Sequence, residues 1–148
     1  GDAKIGAVVR GTKKDGARLK QSFLNNLPSL KSLRTSVSRE AAKGYLKGLD
    51  GRKLFVRSEH SALNTLLQGA GAIVMKQAMI IFKEKIKELN ACFVANVHDE
   101  WQLEVIEDQA DLVGRLGVEA IIEAGLHFKM NCPLDGEYNI GGNWSETH

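Results

Sequence analysis

Two strand-like runs meet at an acidic bend, and this junction constrains the fold more than any other stretch of the chain. Cys92-Phe93-Val94-Ala95-Asn96-Val97 is a short apolar segment, and Trp101-Gln102-Leu103-Glu104-Val105 alternates apolar with polar residues. His98-Asp99-Glu100 stands between them. Runs of this kind joined by a short polar bend pair as a hairpin, here over residues 92–105, with the bend at the rim of the sheet. Carboxylates at a rim are open to cations, and hard divalent ions take oxygen ligands.

The rest of the sequence supplies helices. Residues 2–47 read as helical with interruptions: Ile5, Val8 and Val9 form one apolar stripe, and Leu19, Phe23, Leu24 and Leu27 form another. Pro28 starts a third helix carrying Leu30, Leu33 and Val37, with Gly11, Gly16 and Gly44 as expected breaks. Asp50-Gly51, within the run from Tyr45 to Val56, predicts a tight primed hairpin turn with positive φ at its centre. Residues 60–89 read as one long helix with Leu63, Leu66, Leu67, Ile73, Val74, Ile81, Phe82 and Ile86 on its buried side. Glu107-Asp108 opens a last amphipathic helix to about Leu126, and the Gly-rich tail 131–148 is expected to hold one strand. Hairpins packed with helices make an α+β domain.

With 148 residues and 43% hydrophobic content, the chain is able to bury a core. No apolar run is expected to approach the roughly 20 residues that span a bilayer, and no signal peptide is expected. Cys92 and Cys132 lack metal-finger or C-x-x-C spacing, so buried thiols in a reducing compartment are expected rather than a zinc site with His98 or His127. The net charge of +2 conceals a split: residues 1–57 carry 14 Lys+Arg and 4 Asp+Glu, and residues 58–148 carry 6 and 14. A basic first segment fits a polyanion partner, DNA or RNA foremost, and equally fits solvated helix faces.

His60, Asn64 and Gln68 are four apart and stack on one face of the long helix. The small residues Gly69-Ala70-Gly71-Ala72 follow, letting a backbone or a nucleic acid approach closely. Asn and Gln can donate to the minor-groove acceptors that A·T pairs present in either orientation. The same spacing suits a solvated stripe beside a small-residue helix crossing, and spacing alone leaves both readings open. Gly69-Ala70-Gly71 is no phosphate loop, because it lies within a helix and lacks the following Lys-Ser/Thr. No nucleophile elbow supports a serine-type triad. Asp99 and Glu100 alone could be an ordinary charged turn. Their apolar flanks, the neighbouring His98 and the basic first segment favour half of a two-metal phosphoryl-transfer site.

Val97-His98-Asp99-Glu100 with its following strand resembles motif C of the family A (Pol I-type) DNA polymerases. Lys47-Gly48-Leu49-Asp50-Gly51-Arg52-Lys53, Val56-Arg57-Ser58, His60, and Ala62-Leu63-Asn64-Thr65-Leu66-Leu67-Gln68 with Ala70-Gly71-Ala72 resemble the phage replicative members of the T-seven type. The ending from Asn143-Trp144 to His148 is similar to theirs, and Gly1-Asp2 with Lys4-Ile5-Gly6 resembles the stretch after the motif B helix. The resemblance covers essentially the whole chain. It implies a right-hand polymerase fold, with 1–44 as the C-terminal part of the fingers and 45–148 as a partial palm, or one compact unit. It implies that Asp99 is the motif C carboxylate of a two-Mg²⁺ site, that Glu100 supports it, and that His98 lies near the primer terminus. Asn64 and Gln68 are implied to contact the minor groove of primer-template DNA, and Arg57 and His60 to belong to the DNA-contacting surface.

Several family parts have no counterpart in these 148 residues. Nothing resembles the Asp-Tyr-Ser-like strand of motif A, and the motif B helix, the thumb and any exonuclease domain are likewise unmatched. The connection between Val37 and Tyr45 is shorter than in the phage relatives. The implied reading is a C-terminal fragment of a DNA-directed DNA polymerase, inactive alone, that supplies only part of its Mg²⁺ site. Its partners would be primer-template DNA, deoxynucleoside triphosphates and the missing N-terminal polymerase portion, with no membrane, in the bacterial host cytoplasm. The rival readings are a non-catalytic DNA-binding module, one subunit of a split polymerase, and a purely structural role. An exposed apolar face is also expected, able to drive self-association.

Overall fold

The structure, a computed structural model, describes residues 1–97 and 99–147. It divides into two compact units: residues 1–47 with 53–67, and residues 48–52 with 68–147.

The first unit begins with three helices, α1 (Asp2–Val8), α2 (Lys13–Asn26) and α3 (Pro28–Ala41). Thr12 caps α2 reciprocally: its hydroxyl accepts from the Asp15 amide at 3.3 Å, and the Asp15 carboxylate accepts from the Thr12 amide at 2.8 Å. Pro28 occupies the first turn of α3, where its missing N–H costs nothing. Gly11 lies between α1 and α2 and Gly44 follows α3 at φ +83°, both breaks as expected. Gly16 corrects the expectation, because it is buried within α2. A Cβ there would lie 1.9 Å from the Asp2 carbonyl oxygen, so this glycine serves a close crossing with α1. The helical stripes also form without being buried: Val8 is 77% and Phe23 57% exposed, with Val9, Leu19, Leu27 and Leu33 exposed too. Periodicity reports a helix, and burial needs something to pack against it.

Strands β1 (Tyr45–Lys47) and β2 (Lys53–Phe55) pair antiparallel with Lys47 opposite Lys53. A small core of Val37, Ala41, Leu46 and Ala62, flanked by Leu54, Val56, Leu63 and Leu66, holds this unit together.

The connection at 48–52, which belongs to the second unit, differs from the expected primed turn. The Gly51 amide donates to the Gly48 carbonyl and the Gly48 amide to the Arg52 carbonyl, and Gly51 alone in the loop has positive φ, +86°. This is a longer loop closed through one left-handed glycine, with Asp50 paired to the Arg52 guanidinium at 2.6 Å.

Helix α4 (Ala62–Lys85) is continuous, and the division between units falls at Leu67 and Gln68. It ends earlier than expected, and Leu67 is 57% exposed rather than buried. In the second unit Val74, Ala78 and Phe82 fall on one face at fourfold spacing and are buried. The expectation that no segment reaches spanning length is corrected: Glu59–Lys85 contains an 18-residue window of mean hydropathy 1.4, enough to cross a membrane by length and composition. The apolar residues Ile73-Val74-Met75 and Ala78-Met79-Ile80-Ile81-Phe82 raise that average. Its buried positions nevertheless pack into the protein's own core.

That core closes against β3 (Ala91–Val97), β4 (Glu100–Val105) and α5 (Ala110–His127), whose buried Val113, Gly117, Ala120 and Ala124 recur at helical spacing. The tail forms no strand among the described residues, contrary to expectation, and ends in a short helix, α6 (Trp144–Thr147). Cys92 and Cys132 are both exposed rather than buried. The architecture is α+β, with two small antiparallel hairpins among helices.

Candidate functional site: the acidic hairpin tip

Strands β3 and β4 pair antiparallel, with Ala91 opposite Val105 at the base and Val97 opposite Glu100 at the tip. Asp99 lies in the turn that precedes Glu100. His98 lies outside the described residues, so its implied place near a primer terminus is untouched by the structure. One register shift interrupts the ladder: Phe93 faces Leu103 and Ala95 faces Gln102, leaving Val94 as a bulge that is 66% exposed. A bulge re-aims the residues beyond it, here the half of β3 that leads to the tip.

The two faces of β4 have different tasks. Trp101, Leu103 and Val105 pack against the core. Trp101 stacks on Phe82 at 5.5 Å, and Phe93 meets both rings edge-on at 5.5 and 6.2 Å. This aromatic trio seats the hairpin on α4. The Trp101 indole N–H is buried without a hydrogen-bond partner among the described residues. Glu100 and Gln102 alternate to the other face, where the Gln102 amide donates to the Glu100 carboxylate at 2.5 Å. The Trp144 indole N–H donates to the same Glu100 oxygen at 2.9 Å. Asp99, by contrast, is exposed at the turn. A groove of about 1190 Å³ runs past the tip, lined by Asp99, Glu100, Gln102, Gly114, Tyr138 and Trp144 among others.

The donor chemistry at the tip suits magnesium, which takes hard oxygen ligands and holds one or two carboxylates with waters and phosphate oxygens. Asp99 offers such a carboxylate in the open, and Glu100 stands beside it. No group of three or more His, Cys, Asp or Glu able to cage a metal occurs among the described residues.

The other expected residues lie elsewhere. Asn64 and Gln68 are exposed one helical turn apart on α4, and His60 is exposed in the 3-10 turn Glu59–Ser61 that precedes it. Arg57 is exposed just before the reciprocal Ser58–Ser61 cap of that turn. Arg57, His60 and Asn64 belong to the first unit, and Gln68, Asp99 and Glu100 to the second. The structure adds Gln102, Trp144 and Thr147, which sequence reasoning did not single out as site residues. Thr147 Oγ1 donates to Gln102 Oε1 at 3.3 Å, across 45 positions of sequence. Contacts of that span leave no local pattern to read.

Residues 1–146 match the profile of DNA polymerase family A. The chain belongs to that family. It is 37% identical over its whole length to the DNA-directed DNA polymerases of Escherichia phage Phieco32 and Escherichia phage T7, covering 26% and 24% of those proteins. It is 30% identical, over 92% of its length, to DNA polymerase I of Bacillus caldotenax. The chain thus spans about a quarter of the phage relatives it matches. Among solved structures, 83% of the chain superposes on the polymerase domain of Pol1 from M. smegmatis, in complex with DNA primer-template and dNTP, with a TM-score of 0.73 and 22% identity. That likeness establishes the family A fold for this α+β chain.

Proposed function

We propose that this chain is the palm and fingers portion of a DNA-directed DNA polymerase, with residues 1–44 as the C-terminal part of the fingers and 45–148 as a partial palm. The observation that carries the reading is the exposed Asp99 carboxylate, held at the tip of a hairpin whose inner face is fixed by three packed aromatic rings. The reaction is template-directed nucleotidyl transfer: a primer 3′-hydroxyl attacks the α-phosphate of a deoxynucleoside triphosphate and pyrophosphate leaves. Mg²⁺ supplies charge stabilisation for the attacking and leaving oxygens. Asp99 holds that cation together with a carboxylate from outside these 148 residues, and Glu100 supports the turn. Exposed Asn64 and Gln68 donate to minor-groove acceptors of primer-template DNA, and Arg57 and His60 contact the same duplex. A host-cell cytoplasm is the compartment where such a phage-like enzyme acts.

The isolated chain does not extend primers in this reading, because no second metal-binding carboxylate strand accompanies Asp99 among the described residues. Primer extension with purified chain, template, nucleotides and Mg²⁺ tests this. The expected result is no product, and template-dependent product would overturn it. The rival reading is a non-catalytic DNA-binding module, which the exposed Asn/Gln pair and the basic first segment favour. Salt-dependent binding that is unchanged by Asp99→Ala is common to both readings. Binding reduced about tenfold by combined Asn64→Ala and Gln68→Ala supports the groove contacts, at about one net hydrogen bond each. Primer extension that appears on mixing with a chain carrying motifs A and B excludes the non-catalytic module.

A further inference from the structure

The tail beyond α5 is a strap, and its end fastens the acidic hairpin. Its path is fixed by close contacts at glycines. A Cβ on Gly125 would lie 2.9 Å from Leu134, one on Gly136 would lie 2.8 Å from Ile121, and one on Gly114 would lie 2.2 Å from the Tyr138 ring. As the tail advances from 134 to 138, its partners on α5 fall from 125 to 121 to 114. The tail therefore runs back along α5 toward that helix's start, where the Tyr138 hydroxyl donates to Asp111 at 2.7 Å. Glu146 then folds back on the turn before α6, accepting from the Gly142 amide at 2.8 Å and the Asn143 side chain at 2.6 Å. This closed turn delivers Trp144 and Thr147 to the outer face of β4.

Among the described residues, Trp144 Nε1 donates to Glu100 at 2.9 Å, and the Thr147 hydroxyl shares its proton between Gln102 Oε1 at 3.3 Å and the Trp144 carbonyl at 3.2 Å. Gln102 in turn donates to the same Glu100 oxygen. Glu100 is the first residue of β4 and directly follows Asp99, so fixing its carboxylate fixes the strand side of the turn that holds Asp99. The aromatic trio grips the hairpin from within, and the strap grips it from outside.

We propose that Trp144 is a positioning residue: through its indole N–H it holds the Glu100 carboxylate, and with it the turn that presents Asp99 to a divalent cation. This rests on the reading of Asp99 as a cation ligand. Groups that orient metal ligands from one contact away typically change affinity about 10- to 100-fold when lost.

The test uses the full chain and Mn²⁺ as the probe, read by paramagnetic broadening of backbone amides at the hairpin tip. Trp144→Phe keeps an aromatic ring, smaller than the indole, and removes the N–H, and Thr147→Val removes the hydroxyl donor at nearly constant shape. The expected results are Asp99-dependent broadening in the native chain and about tenfold weaker Mn²⁺ binding in Trp144→Phe, with core amide shifts preserved. Thr147→Val should show a smaller loss, and it decides the question if Trp144→Phe does not fold. Exchange of the Trp144 indole proton, measured without metal, should accelerate at least severalfold in Glu100→Ala. Unchanged indole exchange, or Mn²⁺ affinity within twofold of native in the variants, would overturn the positioning role alone. Broadening that is absent, or unchanged by Asp99→Asn, would remove the parent reading and this proposal with it.

Discussion

Phe82→Ala should unseat the hairpin that carries Asp99, and the size of the effect follows from the structure. Phe82 is 2% exposed and contacts Phe93 and Trp101, each at a ring separation of 5.5 Å. Burying such a ring contributes about 2–3 kcal/mol. Two of the three ring pairs vanish with it, at about 0.5–1.5 kcal/mol each, while the Phe93–Trp101 pair survives at 6.2 Å. Gly117 faces the vacated space and has no side chain to fill it, so collapse is incomplete. The expected loss is about 4 kcal/mol, inside the range for truncating a buried phenylalanine. With a urea dependence of about 2 kcal/mol per molar, the unfolding midpoint falls by about 2 M. Phe82→Leu should cost about 1.5 kcal/mol or less. Urea titration followed by tryptophan fluorescence measures both, because Trp101 stacks on the altered ring. A midpoint shift below about 0.5 M for Phe82→Ala would refute the claim that this trio anchors the hairpin.

Three further outcomes are expected. Gly16→Ala should destabilise the α1–α2 crossing by at least about 2 kcal/mol in thermal melts, because the new Cβ meets backbone atoms at 1.9 and 2.6 Å that cannot rotate away. Gly71→Ala should do the opposite and stabilise by about 0.5–1 kcal/mol, since it is helical and nothing lies within 4 Å of its Cβ position. The hydrogen bond to Asp111 raises the Tyr138 pKa above its ordinary 10.0, so the folded chain favours the protonated phenol. That contribution is complete below pH 10 and is lost as pH rises through the folded value. Ultraviolet titration of tyrosine should show the late component, and Asp111→Asn should move it back toward 10.

Local pattern in the sequence carried much of this fold. The β3–β4 hairpin, the helical character of 2–41, Pro28 as a helix start and the α+β class all follow from periodicity and turn chemistry. Burial was less legible. Val8, Phe23 and Leu67 sit at helical spacing yet stay exposed, because a stripe describes a helix and not what covers it. Gly16 reads as a break in one dimension and is a contact point in three, since only the crossing of α1 shows why a side chain is excluded. Asp50-Gly51 marked the turn correctly, but the type depends on the hydrogen bonds of Gly48 and Arg52 on either side. Asp99 and Glu100 were legible as an acidic rim, whereas the strap was not. Trp144 and Thr147 reach Glu100 and Gln102 across more than 40 residues, and no window short enough to show periodicity contains both ends.

The central claim, that Asp99 supplies one carboxylate of a shared polymerase metal site, is tested most directly by a graft. Residues 1–148 replace the matching quarter of a phage relative, with and without Asp99→Asn, and primer extension is measured in Mg²⁺. The account predicts an active native graft whose extension rate falls at least about 1000-fold with Asp99→Asn, the equivalent of about 4 kcal/mol of transition-state stabilisation. Comparable extension by the two grafts would contradict it.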